Sequence, residues 1–334
     1  MAITAIGLPA HGGDLLAAEA RWGRPAAGWL DLSTGINPHP YPLPPIAPAA
    51  WHRLPGSAEE LELRRVAAGF WHVPSPEHVV TAAGSQPLIQ ALPHLAKPGQ
   101  PVRVLAPTYA EHSRAWAAAG FAVSEIASLD QAGSGSILVV VNPNNPDGRT
   151  VAPARLLDIA DAMAATGGLL VVDEAFGDVR PELSTAGQSR PGLVVLRSFG
   201  KFHGLAGLRL GFALAEPDLA EKLRARLGPW AVSGPALAVG RVALADQSWA
   251  ENARRDLAAT AARLALTLAQ AGLGIVGGTS LFVLARHAEA ATLYDRLGRA
   301  GILVRAFAEH PDWLRFGIPG DDGALQRLGR ALAS

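Results

Sequence analysis

Cysteine is absent from the 334-residue chain, which removes disulfides, thiolate metal sites and a cysteine nucleophile together. Lysine is scarce: the 29 basic side chains are 26 arginines and only three lysines, Lys97, Lys201 and Lys222. Chemistry that needs a primary amine therefore has few candidates. No run approaches the ~20 uninterrupted apolar residues of a membrane helix, and the first twenty residues lack the basic and apolar regions of a secretion signal. A soluble, cytoplasmic protein with no membrane partner is expected. Net charge is missing as well, since 29 acidic side chains cancel the basic ones and leave no long-range field to draw in nucleic acid. The ten histidines show no HExxH spacing, so no metal site is expected.

What is present is apolar. Such residues make up 49% against 17% charged, without blocks of like charge, and this balance supports a folded core. The length exceeds the roughly 100–200 residues of one domain, so a large core with a smaller satellite is expected. Residues 1–56 carry Gly and Pro at a density that suits an extended arm. Ser57 and Glu60 then have the spacing of a capping box, and Leu63, Val66, Ala67 and Phe70 share one helical face. Apolar runs at 78–82, 102–106, 137–141, 169–173, 194–198 and 210–213 alternate with helical segments from Gln86, at 110–119 and at 154–165. The runs lack in–out alternation, as strands do when helices cover both faces, so the fold class is α/β with a mostly parallel sheet. Past Glu216 the expected helices are 217–227, 235–271 and 288–299 and the strands 281–285, 302–305 and 313–317, an α+β tail with its own domain from residue 230.

Three strand ends carry polar groups. Lys201 follows an apolar strand in a Gly-rich turn, where partial desolvation favours the neutral, nucleophilic amine. Lys97 and Lys222 read as surface residues. Asp173 ends the apolar run 169–173, where an unpaired charge is costly to bury; taken alone it also reads as a cap for the next loop. The NPNNPDG segment at 142–148 reads by itself as a tight turn. Three such ends in succession at one edge of a sheet are a different matter, because open α/β sheets bind ligands there.

In this order, NPNNPDG, DEAF at 173–176 and SFGK at 198–201 with Arg209 behind it resemble the motifs of fold-type I pyridoxal-phosphate enzymes, the aminotransferase class I/II superfamily. The resemblance covers most of the chain. It implies an arm (1–40) that packs on the small domain and active site, a large cofactor-binding domain (41–229) and a small C-terminal domain (230–334). It implies that Lys201 carries pyridoxal 5'-phosphate covalently, that Asp173 pairs with the pyridine nitrogen to keep the ring an electron sink, and that Asn145 bonds the ring's 3' oxygen. Gly84, Ser85 and Gln86, at a helix start, would hold the cofactor phosphate together with Ser198 and Arg209. Tyr109 would stack on the cofactor ring, although it reads equally as a core residue. Arg315, in WLRFG, would bind the substrate's α-carboxylate.

The arm narrows the resemblance. HGGD at 11–14, STGINP at 33–38 and Phe176, where many aminotransferases have tyrosine, are similar to threonine-phosphate decarboxylases and their relatives in cobalamin biosynthesis, which resemble histidinol-phosphate aminotransferases. The resemblance implies a lyase that converts L-threonine O-3-phosphate to (R)-1-amino-2-propanol O-2-phosphate and carbon dioxide, with His11, Gly35, Asn37, Asn145 and Arg315 at the substrate. It also implies a homodimer. Leu54 departs from the pattern, since histidinol-phosphate aminotransferases have a tyrosine there that reaches the partner's cofactor phosphate. The alternative within enzymes is an aminotransferase acting on a phosphorylated amino compound. A pyridoxal-phosphate-binding regulator is disfavoured by the lack of net charge. A dinucleotide fold is disfavoured because Gly133 and Gly135 precede a strand and the fingerprint must follow one.

Overall fold

The computed structural model describes residues 11–333. In chain order the helices are α1 (Leu15–Trp22), α2 (Ala49–His52), α3 (Ser57–Phe70), α4 (Ser85–Ala91), α5 (Glu111–Ala118), α6 (Pro153–Ala165), α7 (Phe199–Phe202), α8 (Pro217–Leu227), α9 (Gly234–Ala245), α10 (Gln247–Gln270), α11 (Ala290–Arg299) and α12 (Asp322–Ala333). The strands are β1 (Leu30–Asp31), β2 (Val79–Ala82), β3 (Val102–Leu105), β4 (Val123–Ile126), β5 (Ile137–Val141), β6 (Leu169–Asp173), β7 (Leu193–Ser198), β8 (Gly211–Ala215), β9 (Gly274–Thr279), β10 (Phe282–Arg286), β11 (Ile302–Leu303), β12 (Arg305–Ala306) and β13 (Trp313–Gly317). Contacts divide them into two units. Pro40–Asn145 and Arg149–Ala250 form the first; the residues up to His39, Pro146–Gly148 and those from Glu251 onward form the second.

The first unit is built on a seven-stranded sheet of order β2-β8-β7-β6-β5-β3-β4. Only β8 runs against its neighbours. Every residue of β5 and β8 is buried, the pattern of strands covered on both faces. Val80, Val139, Val171, Leu196 and Trp116 are at most 1% exposed in one core, each aliphatic contributing about 1.5–3 kcal/mol by leaving water. The register aligns the strand ends: Val141 lies beside Asp173, Asp173 beside Leu196, and Ser198 beside Gly211. The polar groups expected at the carboxyl edge therefore do share that edge.

The second unit holds a four-stranded antiparallel sheet, β12-β13-β10-β9, and a parallel pair, β1-β11. That pair sets Leu30 against Ile302 and so ties the N-terminal segment to the C-terminal residues. Trp22 packs where a Cβ on Gly298 would collide with its indole, and its Nε1 donates to Asp295 Oδ1 at 2.7 Å.

Several boundaries differ from the expectation. The arm contains α1, capped by Asp14, whose carboxylate accepts from Ala17 N at 2.9 Å. The cap of α3 is shifted by one residue: Glu59 accepts from Gly56 N, and Glu60 instead accepts from the Thr81 hydroxyl. The single helix read at 235–271 is two, α9 and α10, divided at Asp246. Its Oδ1 accepts from Trp249 N and Ser248 Oγ and its Oδ2 from Tyr41 Oη, an N-cap arrangement that starts a new helix. Residues 230–250, read as the start of the C-terminal domain, group with the first unit, where α9 packs on α3.

Candidate active site

Asp173 ends β6 and is 2% exposed. Its Oδ1 accepts from Ala175 N at 2.9 Å, and its Oδ2 lies 2.7 Å from Nε2 of His112 on α5. A carboxylate only accepts, so Nε2 carries the proton. His112 Nδ1 has no hydrogen-bond partner among the described residues. The imidazole therefore backs the carboxylate as a donor through Nε2 and fixes its plane.

The loop after Asp173 is held from beneath by a buried ion-pair network. Arg197, 1% exposed, lies 3.0 Å from Glu174 and 3.2 Å from Asp178, and donates to Ser184 Oγ at 2.6 Å. Glu174 also accepts from Thr185 N and Oγ1 and from Ser184 Oγ, and Asp178 from Trp71 Nε1. Gly177 leaves room for this cation, since a Cβ there would collide with Arg197 Nη1. Arg197 immediately precedes Ser198, so one network fixes both the loop that carries Asp173 and Phe176 and the strand that leads to Lys201.

Lys201 sits on the short helix α7, half-buried, with Nζ 5.9 Å from the centre of the Phe176 ring. Ser198, at the head of α7, pairs in register with Gly211. A Cβ on Gly211 would collide with Gly84 and Ser85, so the start of α4 lies directly against this strand. Gly84 has φ +92°, and a Cβ there would stand 2.6 Å from Arg209 Nη2. The guanidinium thus lies against a backbone turn that only glycine fits. Gln86 donates to Glu111 at 3.3 Å. Tyr109 is half-buried, and burial, with smaller contributions from Glu111 and Asp173, pushes its phenol up to about 12, while Arg209 pulls the other way. That hydroxyl stays protonated at neutral pH and serves as a donor and apolar wall, not as a base.

The 142–148 turn spends two asparagines on itself. Asn142 bonds Val151 in both directions, and Asn144 accepts from Thr108 Oγ1 and donates to Pro107 O. Arg149 adds bonds to Leu105 O and Pro107 O. These staples set the position of Asn145, which is half-buried at the same sheet edge.

In the second unit, β12 and β13 set Arg305 directly opposite Arg315. Like charges so placed repel, and Arg315 is only 7% exposed. Burial first, and Arg305 second, hold its pKa down to about 9 against an ordinary 12.5. Its Nη2 donates to Ser33 O at 2.9 Å. A shallow depression is lined by His11, Gly12, Asp14, Ser33, Tyr294 and Arg305, among others. Asn37 is buried and its Oδ1 accepts from His39 N, and Gly35, two residues earlier, is also buried. Arg305 lines this depression, and the register places Arg315 opposite Arg305 on the neighbouring strand.

A model of the aminotransferase class I and II family matches residues 46–332. The chain belongs to that family. As a family member it is 46% identical over 97% of its length to a threonine-phosphate decarboxylase of Sinorhizobium sp, covering 97% of that protein. It is 48% identical over 96% of both chains to a threonine-phosphate decarboxylase of Pseudomonas aeruginosa. Histidinol-phosphate aminotransferase from Sinorhizobium meliloti, solved with pyridoxal-5'-phosphate, superposes with a TM-score of 0.79 at 23% identity, covering 95% of this chain and 93% of that one. The L-threonine-O-3-phosphate decarboxylase of Porphyromonas gingivalis gives 0.73 at 20% identity over 86% and 94%.

The first unit's residues fit the family's cofactor. They supply a half-buried amine, a buried carboxylate and an amide, and a glycine turn against an arginine where any side chain would intrude. His112, Arg197 and Arg305 were not singled out in the sequence. His112 lies on a helix far from Asp173 in the chain, and Arg305 is one of 26 arginines; only the strand register reveals its place opposite Arg315. Among the described residues no cluster of three or more His, Asp or Glu could hold a metal ion, and no helix is long and apolar enough to cross a membrane.

Proposed function

We propose that this protein is a pyridoxal-phosphate-dependent carbon–carbon lyase that releases carbon dioxide from L-threonine O-3-phosphate and yields (R)-1-amino-2-propanol O-2-phosphate. The observation that carries this reading is the near full-length similarity, at 46% and 48%, to threonine-phosphate decarboxylases. The histidinol-phosphate aminotransferase of Ruegeria sp. stands lower, 28% identical over 89% of this chain. The paired arginines support a substrate with more than one anionic group.

When bound, pyridoxal phosphate supplies an electron sink for the pair released as the bond between the α-carbon and the carboxylate breaks. Lys201 would hold the cofactor through its amine and would serve as the acid that delivers a proton to the substrate's α-carbon after carbon dioxide leaves. Asp173 would accept from the ring nitrogen, with His112 keeping that carboxylate in place. Asn145 would donate to the ring's 3' oxygen. Gly84, Ser85, Gln86, Ser198 and Arg209 would hold the phosphate, and Tyr109 would flank the ring. Arg315 and Arg305 bind the substrate's anionic ends, with His11, Gly35 and Asn37 beside them. The direction in which the carboxylate is held selects carbon–carbon cleavage over proton removal, the step that would begin transamination.

The reading includes a cytoplasmic homodimer. Trp51 and Leu54, each 67% exposed, and Trp230 at 58% support a second copy as a cover, because large apolar side chains so exposed on one unit favour association. Incubation of the holoenzyme with L-threonine O-3-phosphate and no keto acid tests the chemistry. Continuous carbon dioxide release with the cofactor spectrum retained is expected. One stoichiometric conversion to pyridoxamine phosphate without carbon dioxide would replace the lyase with an aminotransferase.

A further inference from the structure

In the second unit one buried residue, Ser33, bonds both the 11–13 turn and Arg315. Its hydroxyl lies 2.6 Å from Asp31 Oδ1 and 2.7 Å from Gly13 N. The carboxylate only accepts, so the hydroxyl proton points to Asp31 and the oxygen's lone pair is left for the Gly13 N–H. Asp31 Oδ1 also accepts from Ser33 N at 2.8 Å, closing a local turn that fixes the backbone. The carbonyl of the same residue accepts from Arg315 Nη2 at 2.9 Å.

The segment through Ser33 has no slack on either side. A Cβ on Gly12 would collide with the Ser33 carbonyl, and one on Gly317 with the Thr34 carbonyl. Gly317 N donates to Leu32 O at 2.6 Å. Residues 32–34 are therefore threaded between the 11–13 turn and β13. A guanidinium as desolvated as that of Arg315 needs its direction fixed, and binding groups lose effect when displaced by as little as ~0.5 Å.

We propose that Ser33, oriented by Asp31, is a positioning residue for substrate anion binding: it fastens the 11–13 turn, and with it His11, to the Arg315 guanidinium, so that both face the substrate's anionic groups in one fixed arrangement. The proposal rests on the reading above for the identity of the anion. The hydrogen bonds of Ser33 run to Asp31, Gly13 and Arg315, so its loss weakens substrate affinity and leaves cofactor loading and the chemical step in place.

The test compares wild-type holoenzyme with Ser33→Ala and Asp31→Asn. Each is titrated with L-threonine O-3-phosphate by cofactor absorbance, which gives a dissociation constant whether or not carbon dioxide follows, and each is assayed for KM and kcat. Ser33→Ala is expected to raise the dissociation constant and KM about five- to tenfold, the worth of one hydrogen bond, with kcat within about twofold. Asp31→Asn shifts both in the same direction by less. Unchanged affinity in Ser33→Ala, or a fall in kcat or cofactor loading with KM unchanged, overturns the proposal. If Ser33→Ala does not fold, Asp31→Asn decides by the same criteria. Wild-type binding without carbon dioxide release would defeat the decarboxylase reading and leave the affinity ratios to judge Ser33; no wild-type binding would defeat both.

Discussion

Lys201 and Arg315 are the single positions on which the proposed chemistry most depends. Lys201 is one of three lysines, and its place at the end of an apolar strand made it visible in the sequence. Lys201→Ala should abolish the cofactor's protein-bound absorbance band and lower decarboxylation by about 10³-fold or more, while far-ultraviolet circular dichroism stays unchanged. Burial and the facing Arg305 disfavour the charge on the Arg315 guanidinium, a cost that an anion bound beside it would offset. Arg315→Gln should therefore raise KM for an anionic substrate about tenfold or more, measured by steady-state kinetics. Roles that depend on partners distant in the chain were hidden, as with His112 behind Asp173.

At the scale of elements, the central strands were legible because burial on both faces leaves an unbroken apolar run, as in β5 and β6. The Gly-rich β9 and the short edge strand β4, with its exposed Ser124 and Glu125, carry no such signal and were not foreseen. The break at Asp246 escaped because the apolar period continues across it and only the cap interrupts the helix. Two elements lend themselves to direct test. Gly84→Ala forces a Cβ into a left-handed turn against Arg209, and should weaken pyridoxal-phosphate affinity at least about tenfold, measured by equilibrium dialysis, with the fold retained. Arg197→Met strips the cation from Glu174 and Asp178 and strands two buried carboxylates. Urea unfolding should show a loss of about 3–5 kcal/mol.

At the scale of the molecule, the α/β class and the strand-edge chemistry followed from composition and motif order, because a parallel sheet gathers its strand ends along one edge. The division into units was less legible. Residues 146–148 leave the surrounding chain to group with the second unit, where a Cβ on Gly148 would collide with Gly278, a long-range match that no local pattern records. The central claim is that this chain breaks the bond to the carboxylate and returns a proton to the same carbon. Mass spectrometry of the product formed from L-threonine O-3-phosphate in deuterium oxide tests it most directly. The account requires an amino-propanol phosphate with one carbon-bound deuterium and one equivalent of carbon dioxide. A keto acid product, or recovered substrate with deuterium at its α-carbon and no carbon dioxide, would contradict it.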